Sequence, residues 1–155
     1  MKWFRIICLL LCIAFMLTAC FTPSTDTPIS TFFYIRPETE FESESILVTE
    51  ERNIQAPLKD LLIQYLSGPL DEHLQSPFPA ETTLIDCTII DSQVEIILSN
   101  EASSLTGIEL SVACCALART CFKNSDVSAV NISTQSALLN GQKTISFTEA
   151  MFYPA

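Results

Sequence analysis

Three things are scarce in this 155-residue chain: histidine, which occurs once, basic residues, with eight Lys and Arg against 18 Asp and Glu, and cysteine in any Cys-x-x-Cys spacing. A structural zinc site needs four soft ligands brought close together, so a single histidine with no such cysteine spacing argues against one. The formal net charge of −10 disfavours a polyanionic partner, and we expect no nucleic acid to bind. Asp-x-Asp-x-Asp-Gly, which wraps oxygen ligands around calcium, is missing, as is the Gly-x-Ser-x-Gly of serine hydrolases. No cofactor or metal is expected, and no internal repeat or interdomain linker is visible.

Apolar residues, by contrast, are concentrated at the start. Lys2 and Arg5 flank Trp3, a nearly unbroken apolar run extends from Ile6 to Ala19, and the run closes in Leu17-Thr18-Ala19-Cys20. A charged n-region, an apolar h-region and a small-residue cleavage site make an export signal. As a helix the run would rise roughly 21 Å, short of the ~30 Å hydrocarbon core, so a permanent span is the weaker reading. Leu-Thr-Ala-Cys resembles the lipobox of bacterial lipoproteins, which implies lipidation of the Cys20 sulfur and cleavage before it. Residues 1–19 are then a signal peptide and 20–30 a lipidated cysteine with a Thr/Ser/Pro-rich tether. The folded domain is expected over 31–155, outside the cytoplasm and held at the membrane by its lipid. Cleavage removes Lys2 and Arg5 but no acidic residue, leaving six basic against 18 acidic residues and a net charge of −12.

Cys8 and Cys12 leave with the signal, and Cys87, Cys114, Cys115 and Cys121 remain in the domain. Cys114 and Cys121 on one helix would lie about 10 Å apart along its axis, too far to bridge. Cys87 could reach a helix cysteine only if its strand packs there; buried free thiols are the alternative.

Two helices are predicted. Pro57 precedes apolar residues at Leu58, Leu61, Leu62, Tyr65 and Leu66, and Gly68-Pro69 follows, giving an amphipathic helix with a start and a stop. Thr106-Gly107-Ile108-Glu109 has capping-box spacing and opens a second helix to about Phe122, with over half its circumference apolar and therefore largely buried. Leu84–Ile90 and Val94–Leu98 read as a hairpin across Asp91-Ser92-Gln93, with Ile85, Cys87 and Ile89 on one face. Further strands are expected at 31–35, 46–49, 127–133 and 143–147, the last two joined through Asn140-Gly141. The order β-β-α-β-β-α-β-β predicts one small α+β domain, a mixed sheet with two helices packed on one face.

Reactive groups are few. Cys114-Cys115 with His73 is the only thiol and base combination, and an apolar mid-helix position would raise the thiol pKa and disarm it. Glu38, Glu40, Glu42, Glu44, Glu50 and Glu51 read as a solvated acidic edge that discourages strand aggregation. Asn131-Ile132-Ser133 matches a glycosylation triplet but falls at the end of a strand, where we give it no functional weight.

The helix closing in Leu66-Ser67-Gly68-Pro69, the segment Ser76-Pro77-Phe78-Pro79-Ala80-Glu81-Thr82, the hairpin, the long helix and the small-apolar alternation of Val127 to Ile132 together resemble the GerMN domain of sporulation and spore germination. The likeness covers roughly Phe32 to Phe147. It implies a non-enzymatic, commonly lipid-anchored envelope module with no catalytic residues, whose partner is an envelope protein or cell-wall material. An enzyme or enzyme subunit acting on envelope substrates is the alternative, with His73 and the cysteines its only candidates.

Overall fold

The computed structural model describes residues 29–37 and 46–152. The export signal, Cys20, most of the tether and Glu38, Glu40, Glu42 and Glu44 lie outside the described residues. The six strands are β1 (Ser30–Ile35), β2 (Leu47–Arg52), β3 (Leu84–Ile90), β4 (Gln93–Leu98), β5 (Ala129–Thr134) and β6 (Thr144–Thr148); the helices are α1 (Leu58–Leu66) and α2 (Gly107–Asn124). This is the anticipated α+β order, with short 3-10 turns at Asn100–Ser104 and Glu149–Met151. The strands divide into two sheets: an antiparallel ribbon of β1 and β2, and a four-stranded sheet in the order β3-β4-β5-β6. In the latter β4 and β5 run parallel, and the other two pairings are antiparallel. A parallel pair needs a long crossover, and α2 lies in the connection between β4 and β5.

Alternation decides the inner face of the large sheet. Val94, Ile96 and Leu98 of β4 and Val130 and Ile132 of β5 are buried, while Glu95 and Asn131 between them stay partly exposed and hydrogen-bond to each other at 2.6 Å. The inner residues join one core with Leu58, Leu61, Leu62, Tyr65 and Leu66 of α1 and Leu110, Ala113, Cys114, Leu117, Ala118, Cys121 and Phe122 of α2. The five predicted apolar positions of α1 are thus its five buried ones. Its stop is also as expected: Gly68 has φ +99°, a conformation that penalises any Cβ. Both hairpins close through two residues at positive φ, Asp91-Ser92 (48° and 64°) and Asn140-Gly141 (50° and 82°), as the right-handed strand twist favours.

Three local expectations need correction. The Thr106 side chain makes no capping hydrogen bond, because the chain enters α2 through Gly107 at φ +56°. The first turn of α2 is also not buried: Ile108 is 81 % exposed, and burial begins at Leu110. On β3 a bulge between Leu84 and Asp86 leaves Ile85 without a β4 partner. Leu84, not Ile85, therefore shares the core face with Cys87, and Ile85 and Ile89 are largely exposed.

Candidate functional site

The most connected polar site lies where the ribbon meets the end of α1. Arg52, the last residue of β2, is 9 % exposed, and its guanidinium lies 4.6 Å from the centre of the Phe32 ring. Its Nη2 donates to Tyr34 Oη at 3.1 Å and to the Gly68 carbonyl at 2.9 Å, and its Nε donates to Glu50 Oε1 at 2.5 Å. The other Glu50 oxygen accepts the backbone N–H groups of Leu70 and Asp71 at 2.8 and 2.9 Å. Tyr34 Oη is within donating distance of the Tyr65 and Gly68 carbonyls at 3.0 and 3.1 Å.

A cation at a helix C-terminus complements the partial negative charge of the free carbonyls there, and Glu50 balances the cation. Burial, partly offset by the Arg52 charge, pushes the Tyr34 phenol up to about 12, so the hydroxyl stays a neutral donor. Above this cluster Phe32, Tyr34 and Tyr65 stack, with Tyr34 and Tyr65 centroids 5.0 Å apart. Charged residues of an acidic segment ordinarily sit in water, and Glu50 was expected there with its neighbours. It is instead half of a buried pair, which only its fixed position two residues from Arg52 on the same face of β2 could have signalled.

The free edge of β1 is held by side chains. Thr120 Oγ1 accepts the Phe33 N–H at 3.1 Å, and Asn124 accepts the Thr31 N–H at 3.0 Å while donating to the Thr31 carbonyl at 2.6 Å. Thr120 and Asn124 are one helical turn apart, so a single face of α2 takes the place of a neighbouring strand. Gln75 continues the edge, exchanging backbone hydrogen bonds with Ile35 at 2.9 and 3.0 Å.

The thiols are disarmed. Cys87, Cys114, Cys115 and Cys121 are free. Burial, reinforced by the neighbouring Cys115, pushes the Cys114 thiol up to about 12, and complete burial raises Cys121 further. Burial also raises the half-buried Cys87 and Cys115. Thiols so shifted are protonated at neutral pH and are poor nucleophiles. His73 stands in the exposed turn after α1, where its backbone N–H bonds the Asp71 carboxylate at 2.9 Å. The polar groups that act on the Cys114 and Cys115 thiols are Cys115 and Arg119 respectively. Among the described residues no three or more His, Cys, Asp or Glu side chains gather as a metal would require.

The principal apolar concavity has a volume of about 530 Å³ and lies between the Ser76–Pro79 segment and the first turns of α2. Phe78 anchors that segment by inserting into the core, where its ring meets Tyr65 edge-on at 6.5 Å. Pro77, Pro79, Ile46, Ile108 and Val112 supply apolar walls, and Arg36 and Glu109 are its charged members. Such walls hold apolar groups by excluding water; they assemble no nucleophile with a base.

Fold and site together define a small α+β module whose polar clusters serve the backbone and whose thiols are protonated. No protein-family model matches the chain, and no curated protein matches it. Solved structures do. The first GerMN domain of the sporulation protein GerM from Bacillus subtilis superimposes with a TM-score of 0.56 at 17 % identity, covering 71 % of this chain and 84 % of that domain. The tandem GerMN domains of the same protein give a TM-score of 0.54 at 17 % identity over 81 % of this chain and 46 % of the tandem structure, so this chain spans about half of that pair. The chain has the GerMN fold, as its Gly-Pro and Ser-Pro-x-Pro segments led us to expect.

Proposed function

We propose that this chain is a lipid-anchored, extracytoplasmic binding or scaffolding module of the envelope, acting in sporulation or spore germination. The fold shared with a GerMN domain of a sporulation protein is the observation that carries the reading. Two features support it: the Leu17-Thr18-Ala19-Cys20 tetrapeptide after an apolar run, and thiols held protonated by burial. In this reading Cys20 carries two or more acyl chains, enough for stable membrane residence, and the tether presents the domain to an envelope protein or wall partner.

The test is metabolic labelling with palmitate followed by affinity capture from membranes of sporulating and vegetative cells. The parent chain takes up label, the Cys20→Ala variant does not, and envelope partners come down with the parent only during sporulation. Equal labelling of the variant would remove the anchor, and identical partners in both cell states would remove the sporulation role.

A further inference from the structure

Single exposed apolar residues are ordinary on a surface, whereas exposed apolar residues that share one concavity mark a contact. Strand β1 runs from Ser30, where the chain arrives from the tether, to Ile35, which lines the groove of about 530 Å³ together with Arg36 and Pro37. A strand of this length spans roughly 17 to 20 Å, so the groove opens at the end of the domain opposite the tether. Two of its lining residues stand in water there, Ile108 at 81 % exposure and Ile46 at 48 %.

Charge and hydrogen-bonding character describe what the groove accepts. Arg36 is the only Lys or Arg among its lining residues, and Glu109 is its acid. Exposed Asp71, Glu72, Glu81 and Glu101 each stand within four residues of a lining residue along the chain. The chain as a whole carries a net −10, so an acidic segment is repelled from this end and a basic one is drawn to it. The Ser76–Pro79 wall acts in the same sense. Pro77 and Pro79 have no N–H, and the Phe78 N–H is taken by Ser76 Oγ at 3.2 Å, so between Pro77 and Pro79 the backbone offers acceptors alone. Lys and Arg side chains are donors alone. We infer that the groove is the docking site for a peptide segment of another protein in which large apolar side chains alternate with Lys or Arg.

In that complex the apolar side chains fill the space between Pro77, Pro79, Ile108 and Val112, and the cations lie among the carbonyls and carboxylates around it. A bare alkyl chain suits the walls but gains nothing from the acids. The contact is small, so it is weak, and its electrostatic part is screened by salt. This inference rests on the binding-module reading above and adds to it which end binds and what chemistry it selects. Lying opposite the tether, the groove stays open when the domain is held at a membrane, yet the site itself needs no anchor.

The test uses the full chain in phosphatidylcholine vesicles, with protein-free vesicles as the blank, and fluorescence anisotropy of labelled peptides. The probes are a short peptide of alternating Leu and Lys, the same peptide with Ser for Lys, and the same peptide with Glu for Lys. The Leu-Lys peptide should bind about tenfold more tightly than the Leu-Ser peptide, and the Leu-Glu peptide about tenfold more weakly than either. Raising the salt from about 0.05 to 0.5 M should erase the preference for Lys. Ile108→Asn, at an exposed position, should weaken the Leu-Lys peptide about tenfold with the circular dichroism of the parent, while Leu70→Asn, exposed outside the groove, changes nothing. Glu81→Gln and Glu109→Gln should each weaken it about threefold. Failure of the Leu-Lys peptide to bind, equal binding of the Leu-Glu peptide, or undiminished binding by Ile108→Asn overturns the inference. So does a dimer by sedimentation that Ile108→Asn dissolves, which gives the groove to a second copy. Tighter binding by Phe41→Ser also overturns it, because the groove then belongs to the chain's own segment between Pro37 and Ile46. None of these readings depends on Cys20: a chain that binds the peptide without taking up palmitate keeps the groove and loses the anchor, and one that is labelled but does not bind keeps the anchor and loses the groove.

Discussion

The ribbon of β1 and β2 and the sheet of β3 to β6 are built by different physics. The sheet is held by apolar alternation, with Val94, Ile96, Leu98, Val130 and Ile132 pressed onto the helices. The ribbon is held by polar side chains that reach backbone: Thr120 and Asn124 to β1, and Arg52 and Glu50 to the end of α1. Two strands alone are marginal in water, so the ribbon depends on these attachments and on the stacked Phe32, Tyr34 and Tyr65 rings. Apolar packing tolerates small shifts, whereas a hydrogen-bonded buried charge does not. The ribbon should therefore fail abruptly at a few positions, and the sheet by degrees at many.

The strongest way to break this contrast is Arg52→Met. It leaves the 11 %-exposed Glu50 side chain without its cation and the Gly68 carbonyl without a donor, and urea denaturation should show a loss of about 4 kcal/mol. A loss under about 1 kcal/mol would mean that the aromatic stack alone holds the ribbon. On the sheet side, Ile132→Ala opens a cavity at a fully buried position and should cost about 3 kcal/mol by the same assay. Conservative Ile132→Val should cost only about 1 kcal/mol, the graded response expected of apolar packing.

Thr120→Val keeps the shape but strands the buried Phe33 N–H, and about 2 kcal/mol should be lost. Hydrogen exchange gives the sharper reading: amides of β1 should exchange faster while those of β4 and β5 keep their protection. Uniform acceleration would show that ribbon and sheet open together. The smallest effect, up to pH 10, is one of pH. The Cys114 pKa rises from an ordinary 9.0 to about 12 on folding, and Tyr34 rises from 10.0 to about 12. Groups raised in this way favour the folded state fully below the unfolded pKa and cease to do so as pH climbs through the folded one. Stability should hold level as these groups see pH 7 to 9, then fall on the order of 1 kcal/mol by pH 10 and further toward 12. A stability curve flat to pH 11 would show that the thiol and phenol are wetter than their burial implies.

Legibility followed the same division. Period-3.6 spacing in α1 named its five buried residues, and β-branched runs bounded by Asp91-Ser92 and Asn140-Gly141 located both hairpins, since those signals are local and apolar. The spacing of Thr106 and Glu109 misled, because Gly107 took a left-handed φ that a residue pattern does not reveal. Ile85 misled because a bulge shifts register without changing composition. The chemistry of the thiols was legible from their apolar helix, whereas the role of Glu50 was hidden: its partners Leu70 and Asp71 lie some twenty residues away.

By itself, then, the order of residues determined the element sequence, the core-facing positions of α1, β4 and β5, and a resemblance to GerMN domains that the fold bears out. Those features rest on hydrophobic periodicity and turn residues, which act within a few positions of one another. Tertiary structure alone decided that the strands split into two sheets, that α2 closes the edge of β1, that Glu50 is paired inside, and that Ile85 is bulged out of the β3 ladder. Each of those depends on which backbone groups are left unpaired once the elements pack, and that accounting exists only in three dimensions.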